Sequence, residues 1–190
     1  MTSSLDQPVR GFLDQLAARA PTPGGGGAAA VTGALAAGLV AMAARFSVTQ
    51  LPGAGDLAVR ADELRRRAAD LAGRDARAYQ AVLAADQDDS RREALHGAAI
   101  VPLEIAEIGA LVAEMAVRVA EAGNPNLRGD AVTGALLAAA SARSAACLVE
   151  INVGLGGLEP ELSRRAARAA ADACDAAERV MTTERGTTEH

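Results

Sequence analysis

Alanine is what most limits the folds open to this chain: 48 of its 190 residues are alanine. A methyl side chain loses no rotamer freedom and buries no polar atom, so alanine is the strongest helix former. Sheets need β-branched and aromatic side chains to fill a pleated surface, and here there are two Phe, one Tyr and no Trp. The composition predicts an all-α chain. Its length fits one domain that can bury a core without disulfide or metal staples.

The missing residue types narrow the chemistry. All 19 basic residues are arginine, so Schiff-base formation, pyridoxal phosphate attachment and a phosphate-loop lysine have no residue to carry them. One of the two histidines is the last residue, His190. Cys147 and Cys174 have no CxxC spacing, so no metal site is expected. The formal net charge is −5. The one basic run, Arg65 to Arg67, sits among Asp62, Glu63 and Asp70 and reads as a solvated face, so no nucleic-acid partner is expected. No basic start followed by an apolar core marks a secretory signal. The uncharged stretch 28–44 is mostly Ala and Gly and falls short of a strongly apolar span of roughly 20 residues. It reads as a buried central helix, with no membrane role and a cytoplasmic location.

Punctuation by Pro and Gly divides the chain into about six helices: residues 8–20, 27–47, 56–85, 91–121, 129–153 and 161–182. The expected architecture is a single-domain bundle over residues 1–190, with its core from about 8 to 183. Asp86 to Ser90 reads as a polar turn, and Pro102 inside the fourth helix predicts a kink. The second and fifth helices are small-sided almost all round. One thin layer of helices cannot shield both, which predicts a homodimer.

Asp75 is the most informative position. On the third helix, Leu64, Ala68, Leu71, Ala78 and Val82 recur at spacings of three and four, and Asp75 falls within that apolar stripe. A carboxyl there is partly desolvated, which raises its pKa toward the range a general acid or base requires. The structural alternative is an ion pair with Arg45 or Arg143. A second feature is Thr22-Pro23-Gly24-Gly25-Gly26-Gly27 at a helix start, where free N–H groups attract anions and glycines let a ligand approach; the bland alternative is a flexible turn. Asn124 and Asp130 suit helix caps. Asn152 in the fifth helix calls for a hydrogen-bond partner. Glu104 and Glu107 lie three apart beside Pro102, on a face that reads as solvated but could hold a second carboxylate. His96 reads as a surface residue.

Pro21-Thr22-Pro23-Gly24-Gly25-Gly26, Asp75-Ala76-Arg77-Ala78-Tyr79, Val101-Pro102-Leu103-Glu104-Ile105-Ala106-Glu107 and Gly123-Asn124-Pro125-Asn126 with Asp130 together resemble the cyclodeaminase/cyclohydrolase family. Ile151-Asn152 is a weaker fifth stretch, and the likeness covers about residues 12–155. The resemblance implies a formiminotransferase-cyclodeaminase-like helical homodimer acting on a tetrahydrofolate one-carbon adduct, with no tightly bound cofactor. It places catalysis at Asp75 and substrate contacts at Pro23, Gly24, Gly25, Gly26, Glu107, Asn124, Asp130 and Asn152. The implied reaction is cyclisation of 5-formimidoyltetrahydrofolate to 5,10-methenyltetrahydrofolate with release of ammonia. The alternative is the methenyltetrahydrofolate cyclohydrolase reaction, which gives 10-formyltetrahydrofolate. The chain departs from the family pattern in four places. Gly27 and Gly129 replace serines, Leu148 replaces an asparagine, and Gln50-Leu51-Pro52 lacks a basic pair. These departures keep open a third reading, a non-catalytic folate-binding or structural paralogue.

Overall fold

The computed structural model describes residues 7–182. It contains α1 (Val9–Ala17), α2 (Gly25–Arg45), α3 (Ala54–Ala84), α4 (Asp88–Ala122), one 3-10 turn (Pro125–Leu127), α5 (Arg128–Gly156) and α6 (Glu161–Thr182). The all-α bundle anticipated from alanine content is what forms, and no strand occurs among the described residues.

The helix ends differ from expectation where capping chemistry decides them. Asp88, Asp89 and Ser90 belong to the first turn of α4 rather than to a loop. The Gln87 N–H donates to Ser90 Oγ (3.3 Å) and the Ser90 hydroxyl donates back to the Gln87 carbonyl (2.9 Å). Two carboxylates in that turn suit the positive end of the helix dipole. α2 begins at Gly25, inside the glycine run, with Gly24 extended as its N-cap. Gly53 turns the chain into α3 with φ 79°, a left-handed conformation that costs glycine little.

α2 and α5 run antiparallel at the centre: α2 packs on α3, α4 and α5, and α5 packs on α2, α4 and α6. Small residues set the spacing. A Cβ on Gly33 would lie 2.9 Å from Ser141 Oγ, one on Gly134 3.0 Å from Val40 Cγ2, and one on Gly109 2.8 Å from the Ala138 carbonyl. The buried core they enclose is mainly alanine and valine. By length and composition α2 and the segment Pro125–Gly156 could each cross a membrane. Their apolar character comes from the same small residues that form the bundle's centre.

α4 runs through Pro102 as one helix. Proline has no N–H to give to the carbonyl four residues back, which is that of Ala98. Asn152 of α5 supplies the missing donor, with Nδ2 2.8 Å from the Ala98 carbonyl. On the outer side of α2 and α5, Leu35, Leu136, Ile151 and Leu155 are exposed.

Candidate functional site

α3 is longer than α2 and runs past its N-terminus, which brings Asp75 against the start of α2. The contact is close: a Cβ built on Gly26 would fall 2.0 Å from Asp75 Oδ1 and 2.5 Å from Oδ2. Burial pushes the Asp75 carboxyl above the usual carboxylate range, and hydrogen bonding from the Gly27 backbone N–H pulls it partly back. Neither Arg45 nor Arg143 pairs with it; among the described residues no salt bridge involves Asp75. Arg45 turns instead to Asp62, an Asp thirteen residues earlier on the same helix. Arg45 and then Arg65 hold Asp62 below its ordinary pKa. The helix wheel thus found the partly desolvated carboxyl, and the arginine alternative is taken up elsewhere.

The four glycines of the run face different neighbours. Gly24 and Gly25 stay accessible: a Cβ on Gly24 would meet only the Pro21 carbonyl at 3.9 Å, and one on Gly25 the Leu148 methyls at 3.9 Å. Gly26 and Gly27 are buried, the first against Asp75 and the second against Pro23. Pro23 itself is half-buried and follows a cis peptide bond from Thr22. Beside Gly25, a cleft of about 290 Å3 opens between α2 and α5, lined by Ala28, Thr32, Ala140, Ser144 and Leu148 among others. Its mouth shares the outer face on which Leu35 and Leu136 are exposed.

The sequence assigns Tyr79 no role of its own. It stands four residues after Asp75, one turn further along the same side of α3, and is 44% exposed. It is the only tyrosine in the chain, and that scarcity, with the helical spacing from Asp75, was the signal available for it.

The remaining sequence candidates are not gathered here within one subunit. Asn124 lies at the far end of α2. Its N–H donates to Ser47 Oγ (2.9 Å), its Nδ2 donates to the Phe46 carbonyl (3.2 Å), and its Oδ1 accepts from the Asn126 N–H (3.0 Å). α2 has 21 residues, so its two ends are about 30 Å apart at 1.5 Å per residue. Asp130 is in the first turn of α5, near the Asn124 end; the N-cap there is Leu127, and Asp130 follows three residues later. Asn152 is occupied with the Ala98 carbonyl. Glu107 pairs with Arg165 of α6 (2.6 Å), and Glu104 makes a two-point bond with Arg74 (2.7 and 2.8 Å) that ties α4 to α3 beside Asp75. His96 is on the surface, as expected. Among the described residues, no three His, Cys, Asp or Glu side chains cluster as a metal site.

A carboxyl of raised pKa that makes no salt bridge among the described residues, close to the accessible backbone of Gly24 and Gly25, is equipped to move protons on a bound substrate; the cleft beside Gly25 is lined by α2 and α5 and not by Asp75. The family profile described as Formiminotransferase-cyclodeaminase matches residues 8–172. The chain is 36% identical to a methenyltetrahydrofolate cyclohydrolase from Methylorubrum extorquens, over 77% of this chain and 79% of that protein. Its fold is similar to the crystal structure of formiminotetrahydrofolate cyclodeaminase from Thermotoga maritima, with a TM-score of 0.87, 28% identity, and 95% and 96% of the two chains covered. These likenesses span nearly the whole chain, and it belongs to the formiminotransferase-cyclodeaminase family.

Proposed function

We propose that this enzyme hydrolyses 5,10-methenyltetrahydrofolate to 10-formyltetrahydrofolate, with Asp75 as the proton-transfer residue. The observation that carries the chemistry is the Asp75 carboxyl, which burial holds above the usual range and which makes no salt bridge among the described residues. The likeness to the cyclohydrolase of Methylorubrum extorquens favours the hydrolytic reaction. In it, water adds to the cationic methenyl carbon while Asp75 accepts a proton. The tetrahedral carbinol then opens: the C–N5 bond breaks, N5 takes a proton, and the former water oxygen loses its remaining proton to become the formyl oxygen. One proton is released overall. A carboxyl of raised pKa can accept the first proton and return it to N5, and general acid–base catalysis of this kind contributes roughly 10²–10⁴-fold.

The cyclodeaminase reaction is the second reading, favoured by the structural likeness to the Thermotoga maritima protein. There N10 attacks the formimidoyl carbon, N10 loses a proton, the leaving nitrogen gains one, and ammonia departs. Both reactions pass through a tetrahedral carbon between N5 and N10, so the same carboxyl serves either. In both, Gly24 and Gly25 take the substrate's polar edge and Tyr79 offers a flat face to a ring one turn from Asp75. We place this activity in the cytoplasm.

We further propose that the enzyme is a homodimer through the outer face of α2 and α5. Two observations support this: the exposed Leu35, Leu136, Ile151 and Leu155 on that face, and the separation of Asn124 and Asp130 from Asp75 by the length of α2. A two-fold pairing that lays these helices antiparallel across the subunits carries the Asn124 end of one chain over the Asp75 end of the other.

The deciding assay follows methenyltetrahydrofolate absorbance with each substrate in turn. Loss of the methenyl signal without ammonia release supports the hydrolase; its appearance from the formimidoyl substrate, with ammonia, supports the cyclodeaminase; no change with either leaves the non-catalytic reading standing. Light scattering that gives a monomer mass at micromolar concentration overturns the dimer.

A further inference from the structure

The geometry points to Gly26 as a positioning residue: it is the seat that holds the Asp75 carboxyl in its working orientation, rather than a contact for the substrate. This inference rests on the assignment of proton transfer to Asp75. Gly26 is buried, whereas Gly25, one residue before it, is exposed. All three of the nearest atoms a Cβ at Gly26 would meet belong to the Asp75 carboxyl, at 2.0, 2.3 and 2.5 Å. Real Cβ contacts do not come that close, so no side chain can share this place with the carboxyl. Successive residues of a helix point about 100° apart, so the first turn of α2 sends Gly25 toward Leu148 of α5 and Gly26 toward α3. The glycine run therefore does two jobs on two sides: accessible backbone at Gly24 and Gly25, and a closed seat at Gly26. The next amide, that of Gly27, supplies a donor for the seated carboxyl. The Arg74–Glu104 bond next to Asp75 keeps α3 from drawing away from α4.

Positioning of this kind acts on rate rather than on binding. A misplacement of about 1 Å can cost on the order of 10²-fold in rate. In Gly26→Ala the new methyl forces the Asp75 side chain to another rotamer, away from the Gly27 amide and toward water. The expected result is a fall in kcat of about 10²-fold with little change in KM. Less burial favours the charged form, so the acidic limb of the kcat–pH profile moves to lower pH. Unchanged kcat and an unchanged profile overturn the proposal. A simple packing role for Gly26 is separated by Gly26→Ala/Asp75→Ala, which removes the carboxyl that the methyl would strike. If Gly26 is a seat for Asp75 alone, the double variant melts at the temperature of Asp75→Ala, because the methyl then has nothing to strike. If it melts well below Asp75→Ala, Gly26 packs for other reasons and the proposal fails. Asp75→Asn distinguishes the two levels: a dead Asp75→Asn beside an unaffected Gly26→Ala sinks only the seat, whereas an active Asp75→Asn sinks the assignment of Asp75 itself.

Discussion

The two ends of α2 are built from similar small and polar residues and are finished in opposite ways. At the C-terminal end Arg45, Ser47 and Asn124 all have internal partners. Ser47, fully buried, donates its hydroxyl to the Ala43 carbonyl (2.7 Å) and accepts from the Asn124 N–H (2.9 Å). Arg45 is bonded to Asp62, whose pKa is lowered. At the N-terminal end Asp75 makes no salt bridge among the described residues, its pKa is raised, and Gly24 and Gly25 stay accessible. Two aspartates on one helix thus have opposite electrostatics because one meets guanidinium groups and the other meets a buried glycine. In the proposed reaction, the open end is where a substrate's own groups would add to the bonding.

The sharpest way to break this contrast is Asp75→Asn. Turnover should fall by roughly 10²–10⁴-fold, while the near-isosteric amide keeps the fold. Stability should move the other way. The folded-state pKa of Asp75 is raised, so its favourable contribution is complete below the unfolded value of about 3.9 and is lost as pH rises through the folded value. Melting curves should therefore show the variant more stable than the parent at neutral pH, with the gap closing below about pH 4. A parent more stable at neutral pH would mean that Asp75 has a cationic partner after all.

Ser47→Ala tests the opposite end. It strips the partner from the Asn124 N–H and should cost about 1–3 kcal/mol in denaturant unfolding. An unchanged unfolding free energy would erase the division between the two ends. A smaller effect, about 1 kcal/mol, is expected for Asn152→Ala, which leaves the Ala98 carbonyl without a donor. Pro102→Ala restores a backbone N–H to that carbonyl, so the double variant should recover most of the loss; simple additivity in the cycle would show that Asn152 has another task. The change gentlest on the fold is Gly25→Val. Its Cβ makes ordinary contact with Leu148 and the backbone needs no positive φ, so the melting temperature should hardly move. KM should rise roughly tenfold, about 1.4 kcal/mol of binding. An unchanged KM would make this segment a turn and nothing more.

Much of this was legible in sequence because it depends on near neighbours. Alanine content fixed the fold class, and helical periodicity singled out Asp75 from residues within two turns of it. Helix starts slipped by two or three residues where a cap decided them, as at Gln87 and Ser90 of α4. Partners far along the chain were not legible. The sequence offered Asp75 and the glycine run as separate features, and nothing local shows that they touch 49 positions apart. The same holds for Asn152 and Pro102: each looked anomalous in its own helix, and only their packing shows that one answers the other. Asn124 and Asp130 belonged to the family's set of positions, but the length of α2 keeps them from Asp75 within a subunit.

The alanine core has a consequence for how this protein can change. Most cores are damaged when a side chain is shortened and a void is left. Here most buried side chains are already a single methyl, so truncation finds little to take away. Enlargement is the hazard, because at Gly33, Gly109 and Gly134 one added carbon meets a neighbour at 2.8 to 3.0 Å. The tolerance of this chain is therefore narrow on both sides: shortening a core alanine to glycine costs its helix about 1 kcal/mol, and a larger residue finds no room. Larger residues can enter only if facing helices change together.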